Sequence, residues 1–129
     1  MASIFTKIIQ GEIPSHKVAE NDRFIAFLDI MPLQKGHTLV VPKKEVDYLF
    51  DLEDDLLQEM IVFAKEVATK IKKTFPCNRV GMTVIGLEVP HAHIHLIPIN
   101  QEKDMNFHSP KLELSSEELA DIAQQLSEA

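Results

Sequence analysis

The chain has 129 residues, which suits one ordinary domain with a single core. Its apolar share of 45% and charged share of 26% are typical of globular proteins and exclude a disordered chain. Lysine and arginine total 13 against 20 acidic residues, for a formal net charge of −7, so nonspecific binding to nucleic acid or anionic membrane is not the expected role. The single cysteine, Cys77, excludes an internal disulfide and a multi-cysteine zinc site.

The first residues show no secretory signal and no membrane span. Their apolar run is interrupted by Lys7 and is too short to cross a bilayer. Together with the single cysteine, this pattern predicts a cytoplasmic protein.

The N-terminal third predicts a short helix followed by three strands. Ile4, Phe5, Ile8 and Ile9 recur at helical spacing, and Gly11 is placed to end that helix. The three strands are predicted over residues 16–20, 23–29 and 37–41, with a turn at 21–22 and a loop at 31–36.

The rest of the chain predicts a long helix, two strands and a final short helix. The long helix carries apolar residues three or four positions apart and closes at Pro76; they are Leu56, Met60, Phe63, Val67, Ile71 and Phe75. Strands are predicted over 80–85 and 91–99, linked through Gly86, and a capping box of Ser115 and Glu118 starts the last helix. This order predicts an α+β fold, an antiparallel sheet of about five strands with its helices on one side.

Three histidines alternate in the segment Val-Pro-His-Ala-His-Ile-His-Leu-Ile-Pro. In a strand, His91, His93 and His95 share one face, with neighbouring Cα atoms about 6.6–6.8 Å apart. The intervening Ala92, Ile94 and Leu96 face the other way, toward the long helix. The segment therefore has one apolar face and one imidazole face.

This imidazole face has three interpretations. It is a solvated strand with chance histidines, a metal site completed by Asp29 or His37, or a catalytic array. Near-neutral imidazole attacks phosphorus without a strong base, while a second, charged imidazole binds the phosphate oxygens. We favour the third interpretation, in which imidazoles in different protonation states divide the work.

The segment from His91 to Ile97 resembles the His-φ-His-φ-His-φ-φ motif (φ, hydrophobic) of the histidine triad, or HIT, superfamily. The segments over residues 4–14 and 24–43 are similar to that family's N-terminal part and strand–loop–strand core. The resemblance covers residues 3–98 of a single domain spanning 1–129. Residues 99–129 form a C-terminal extension with the capped helix.

The resemblance implies a HIT-like fold that pairs into a homodimer with a continuous sheet. It also implies a nucleotide phosphoramidate or phosphoanhydride hydrolase, or a nucleotidyl transferase, that acts on a purine nucleotide without a metal or other cofactor. His93 is implied as the nucleophile that forms a nucleotidyl-histidine, which water cleaves to release a nucleoside monophosphate such as AMP. His95 is implied to contact the phosphate and the scissile atom, and His91 and His37 to orient the nucleophile.

The resemblance further assigns a nucleotide pocket. Asp29 is implied to accept hydrogen bonds from the ribose hydroxyls. The base pocket is implied to consist of apolar side chains that, without the resemblance, are ordinary core residues: Phe5, Ile8, Phe27 and Ile30.

The sequence departs from the family pattern at two places. Ser3 and Thr6 stand where many members have a zinc-binding Cys-x-x-Cys, so that zinc is expected to be absent. Leu87 and Glu88 replace a glutamine and a small hydroxyl residue, and the preceding phosphate loop is expected to be shortened. Three alternatives stay open: a dinucleoside polyphosphate hydrolase, a nucleotide-binding module with weak catalysis, and a metal-dependent hydrolase.

Overall fold

The computed structural model describes residues 2–129, and across them the chain forms three α-helices and five β-strands. They follow in the order α1 (Ile4–Ile9), β1 (Lys17–Glu20), β2 (Phe24–Leu28), β3 (Thr38–Pro42), α2 (Asp54–Thr74), β4 (Arg79–Thr83), β5 (Ile94–Ile99) and α3 (Ser116–Glu128). Short 3-10 turns lie at Leu49–Asp51 and Glu102–Met105.

The five strands form one sheet in the order β1-β2-β3-β5-β4, and each neighbouring pair is antiparallel. This arrangement confirms the predicted α+β class. The pairing of β3 with β5 sets Leu39 opposite His95. The last of the three alternating histidines therefore lies beside the start of β3. β4 lies at one edge of the sheet.

The sheet is covered on both faces, which differs from the prediction that the helices lie on one side. α2 and α3 pack on the face that carries Val40, Ile94 and Leu96. On the other face, Phe5 of α1 packs with Phe27 and neighbouring apolar residues of β2 and β3. Every residue of β2 and β3 is buried, so both faces of these strands are apolar and each needs a cover.

The helices form where their sequence signals place them. α2 carries acidic residues in its first turn and Lys72 and Lys73 in its last, as the helix dipole favours. α3 begins at the predicted capping box, in which the Ser115 hydroxyl accepts a hydrogen bond from the Glu118 N–H. No helix within residues 2–129 is long and apolar enough to cross a membrane.

The last two strands are shorter than predicted, and the connection between them is longer. β4 ends at Thr83 and β5 begins at Ile94, so residues 84–93, including His91 and His93, lie outside the sheet ladder. Pro42 supplies the reason: it has no N–H to extend the pairing of β3 with β5. Its carbonyl oxygen instead accepts a hydrogen bond from the His91 ring.

Candidate active site

Four histidines meet on the face of the sheet that α1 covers. His95 lies on β5, His37 immediately precedes β3, and His91 and His93 lie in the segment that leads into β5. All four are at most 8% exposed. The His95 ring centroid lies 5.0 Å from that of His93 and 5.2 Å from that of His37.

The side chains alternate as the sequence pattern predicts, although the strand begins only at Ile94. Ala92, Ile94 and Leu96 belong to the core beneath α2. The histidines between them contact one another and Phe5, on the opposite face. Alternation therefore extends through the irregular segment before β5.

The hydrogen bonds of His93 assign its tautomer. Nδ1 lies 2.7 Å from the His91 carbonyl oxygen, which only accepts, so Nδ1 carries the proton and Nε2 keeps a lone pair. Among residues 2–129, Nε2 of His93 has no hydrogen-bond partner, whereas every fully buried side-chain nitrogen has one. Nε2 is therefore not fully buried and is open to a ligand. Burial is the main cause that lowers the pKa of His93, which favours the neutral ring.

His95 has the opposite tautomer, and His37 sets it. The Leu33 N–H donates to Nδ1 of His37 at 3.1 Å, so His37 carries its proton on Nε2 and donates it to Nδ1 of His95 at 2.9 Å. His95 therefore carries an N–H at Nε2, on a ring that contacts the His93 ring edge-on. Because these rings are buried, the pKa of His37 is lowered to about 3 and that of His95 to about 4.

This assignment differs from the expected division of work between protonation states. In the free protein, burial keeps His93 and His95 neutral, and two tautomers divide the roles instead. One ring offers an electron pair and its neighbour offers a hydrogen-bond donor. Such a pair suits an electrophile that carries negatively charged oxygens, as a phosphate does.

Asp29 lies at the edge of this cluster, where β2 ends. Its carboxylate is 3.6 Å from Nε2 of His37 and accepts a hydrogen bond from the Met31 N–H. The side chain is 23% exposed, and burial raises the pKa of Asp29. The carboxylate thus keeps one side toward solvent, where a hydroxyl group can reach it.

Asp29, His37 and His95 also bring their ligand atoms within 4.8 Å of one another, as a metal site requires. The donor chemistry does not fit a metal. Nε2 of His37 is protonated, and freeing it would move the proton to Nδ1, directly opposite the Leu33 N–H. Metal binding would replace a satisfied hydrogen bond with two opposed donors.

The residues predicted to form a base pocket are only partly gathered. The Phe5 ring stands edge-on to Phe27 at 5.4 Å and to His93 at 5.0 Å, so it connects the apolar cluster to the His93 ring. Ile8 packs partly buried against the same cluster. Ile30 lies outside it and is 66% exposed.

The structure adds residues that the sequence did not single out. Phe107, in the C-terminal extension, places its ring 4.9 Å from that of His95 and 6.1 Å from that of His37. Lys111 hydrogen-bonds to the carbonyl oxygens of Phe107 and Ser109, and its charge acts on Asp29 and His37. Phe107 is a lone aromatic residue in a stretch without periodicity, so its sequence carried no signal.

The two residues before the histidines that depart from the family pattern lie on the surface. Leu87 is 88% exposed, and Glu88 is exposed beside it. Glu88 is close enough for its charge to act on Asp29, whereas the Leu87 side chain offers no polar group. Neither side chain supplies positive charge to the cluster.

Comparison with known proteins identifies the family of this chain. The model of the HIT domain family matches residues 10–102, and the chain belongs to the HIT family. An uncharacterised HIT-like protein of Borreliella burgdorferi is 35% identical, with 96% of this chain and 95% of that protein covered. The adenosine 5'-monophosphoramidase of Schizosaccharomyces pombe is 33% identical over 98% of this chain and 97% of its own.

Solved structures show the same fold. The crystal structure of a Hit-like protein from Bartonella henselae superposes on this chain with a TM-score of 0.84 and 33% sequence identity. The alignment covers 98% of this chain and 95% of the Bartonella chain. These alignments reach well beyond residue 98. The C-terminal extension is therefore shared with relatives of similar length.

Proposed function

We propose that this protein hydrolyses nucleotide phosphoramidates or phosphoanhydrides, or transfers their nucleotidyl group, through a covalent intermediate on His93, and releases a nucleoside monophosphate such as AMP. The observation that carries the proposal is the pair of tautomers on two rings whose centroids are 5.0 Å apart: an open lone pair on Nε2 of His93 and an N–H on Nε2 of His95. The relative in Schizosaccharomyces pombe that is named an adenosine 5'-monophosphoramidase supports AMP as the retained group.

The proposed reaction has two displacements at phosphorus. The Nε2 lone pair of His93 forms a nitrogen–phosphorus bond while the bond to the leaving amine or phosphate breaks, with its electron pair going to the leaving atom. Because the pKa of His95 is lowered to about 4, His95 assists as a neutral hydrogen-bond donor. Water then attacks phosphorus, and the bonding pair returns to Nε2.

The overall balance needs one water molecule and nothing else. Its hydroxyl group ends on the phosphorus, and its proton ends on the leaving amine or phosphate. Asp29, partly exposed beside the cluster, is proposed to accept hydrogen bonds from the ribose hydroxyls, and the apolar cluster around Phe5 and Phe27 is proposed to hold a purine base. Ile8 lies at the border of that cluster, and Ile30 would contact a nucleotide from the solvent side.

His93→Ala tests the nucleophile. We expect the release of AMP from an adenosine phosphoramidate to fall by about 10⁴-fold or more, because no other open lone pair replaces Nε2. Rapid acid quench of the wild type should trap a nucleotidyl-protein that the variant does not form. His16→Asn, which changes a histidine outside the cluster, is the matched control, and full turnover by His93→Ala would refute the mechanism.

The same assay separates the alternative functions. We expect faster turnover of the phosphoramidate than of a dinucleoside polyphosphate; the reverse order would make the protein a dinucleoside polyphosphate hydrolase. AMP binding by calorimetry without turnover of either substrate would make it a binding module. Loss of activity in a chelator would favour a metal-dependent hydrolase.

The proposed assembly is a homodimer with a sheet continued across the two-fold axis. β4 is an edge strand, and the chain around its end exposes apolar side chains, with Met82 52%, Ile85 45% and Leu87 88% exposed. Size-exclusion chromatography with light scattering should give twice the chain mass. Met82→Lys should lower the measured mass to that of the monomer, and a monomeric wild type would contradict the proposal.

A further inference from the structure

We propose that Ser3, Thr6 and Glu45 form a hydrogen-bonded relay that positions His91 and, through the His91 carbonyl group, the nucleophile His93. The kinetic part of this inference rests on the proposed function. The structural part does not.

The relay begins at the Glu45 carboxylate, just after β3. One of its oxygens, Oε1, accepts hydrogen bonds from the Ser3 N–H and from the Thr6 hydroxyl, each at 2.6 Å. These hydrogen bonds, that of the Ser3 N–H first, lower the pKa of Glu45 to about 2, so the carboxylate is charged at neutral pH. A charged acceptor thus holds the start of α1 against the chain that follows β3.

The second step connects α1 to the His91 ring. The Ser3 hydroxyl, which caps α1, accepts from the Thr6 N–H at 3.0 Å and lies 2.7 Å from Nδ1 of His91. On the other side of the ring, Nε2 lies 2.8 Å from the Pro42 carbonyl oxygen, which only accepts. Nε2 therefore carries a proton, and in the tautomer with its single proton there Nδ1 accepts the Ser3 proton.

The third step passes from the His91 ring to its backbone. The His91 N–H donates to the Val89 carbonyl at 2.8 Å, and the next N–H, of Ala92, donates to the Val46 carbonyl at 2.7 Å. The His91 carbonyl group is thereby directed at Nδ1 of His93, where its hydrogen bond keeps the Nε2 lone pair free. The Glu45 side chain thus holds α1, and the carbonyl group of the next residue, Val46, holds the segment that contains His91.

Burial makes this arrangement sensitive to a single hydroxyl group. Ser3 is 6% exposed and His91 is 0% exposed, so water does not replace a missing Ser3 hydroxyl without rearrangement. An alanine at position 3 leaves Nδ1 with only the Thr6 hydroxyl, which is 3.4 Å away and donates its proton to Glu45. The ring then gains freedom to rotate or to change tautomer, and the His91 carbonyl group loses its fixed direction.

The experiment uses the full chain labelled with ¹⁵N-histidine. In the wild type we expect the ring resonances of His91 to report an unprotonated Nδ1 and a protonated Nε2. Ser3→Ala should broaden or shift them and lower kcat about tenfold, with KM within about twofold, because the nucleophile is misdirected while the nucleotide pocket is intact. Ser3→Thr should restore both readouts, and Glu45→Gln should reproduce part of the loss. Ser15→Ala and Glu66→Gln are the controls.

The possible outcomes separate this inference from the proposed function. A Ser3→Ala protein with wild-type His91 resonances and wild-type kcat overturns the relay, as does a folded Ser3→Thr protein without rescue. If the wild type turns over no nucleotide, the proposed function fails, and the His91 resonances still decide the structural part. If Ser3→Ala does not fold, Glu45→Gln is decisive: unchanged resonances and kcat overturn the relay, and a partial loss supports it.

Discussion

Three of the four histidines in the cluster are each assigned one tautomer by a backbone group that can only donate or only accept a hydrogen bond. The Leu33 N–H only donates, and the Pro42 and His91 carbonyl oxygens only accept, so the proton positions on His37, His91 and His93 follow from backbone groups. His95 then follows from His37. Backbone groups do not titrate near neutral pH, so this arrangement holds wherever the rings stay neutral.

His37 is the residue on which the tautomer of His95 depends. His37→Leu removes the donor to Nδ1 of His95 while it fills similar space, so His95 is free to place its proton on Nδ1. We expect kcat/KM for the phosphoramidate to fall about 10- to 100-fold, as the loss of about 1–3 kcal/mol from a buried hydrogen bond implies. The steady-state rate of AMP release gives this kcat/KM.

His37→Gln is the matched comparison, because its amide N–H lies near the position of Nε2. We expect His37→Gln to be more active than His37→Leu, since it can still donate to His95. Equal activities of the two variants would show that the hydrogen bond to His95 does not matter for the reaction.

At the scale of elements, the segment between β5 and α3 acts as a cover for the histidines. After β5 the chain makes the turn Glu102–Met105, and the Met105 side chain packs so closely over Gly81 that any larger residue at position 81 would collide with its sulfur. Farther on, the Leu112 N–H donates to the Pro32 carbonyl oxygen at 2.8 Å, which fastens the segment to the loop before His37. Phe107 lies between these two attachments.

Phe107→Ala tests this cover. Removing the ring admits water to His95, so the pKa of His95 should rise from about 4 toward its ordinary value of 6.5. An NMR titration of the labelled histidines measures the change. Phe50→Ala, which removes an exposed ring elsewhere, should leave the pKa of His95 unchanged. An unaltered pKa in Phe107→Ala would contradict the role assigned to the segment.

At the scale of the whole molecule, the buried neutral histidines make stability depend on pH. The pKa values of His37 and His95, about 3 and about 4 in the folded chain, lie below the ordinary 6.5. Between about pH 4 and 6.5 the unfolded chain binds protons that the folded chain excludes, so the free energy of unfolding decreases as pH falls. The full stability of the neutral rings is therefore present above pH 6.5. Burial raises the pKa of Asp29, and this partly opposes the loss of stability as pH falls.

Urea unfolding between pH 5 and 7.5 checks this dependence. Each such histidine contributes a slope of up to about 1.4 kcal/mol per pH unit. His37→Leu should give a shallower slope than the wild type, because one titrating group is removed from the unfolded chain. A stability that stays constant over this range, or rises as pH falls, would contradict the burial of neutral rings.

The alternation of polar and apolar residues determined much of this protein by itself. It placed His91, His93 and His95 on one face and Ala92, Ile94 and Leu96 on the other, and apolar spacing located α1, α2 and α3. These features follow from the period of the backbone, which any stretch of sequence carries locally. The α+β class followed from the order of those elements.

Only the tertiary structure decided which atom of each imidazole carries the proton. For two rings the partners lie far along the chain: His37 is 58 residues from His95, and Ser3 is 88 residues from His91. The partners of His37 and His93 lie within four residues of them, but the fold sets the directions of those hydrogen bonds. The end of the β3–β5 ladder, the second covered face of the sheet and the position of Phe107 are likewise results of packing between distant segments. Local pattern carries no information about such partners, because hydrogen bonds and burial are properties of the assembled fold.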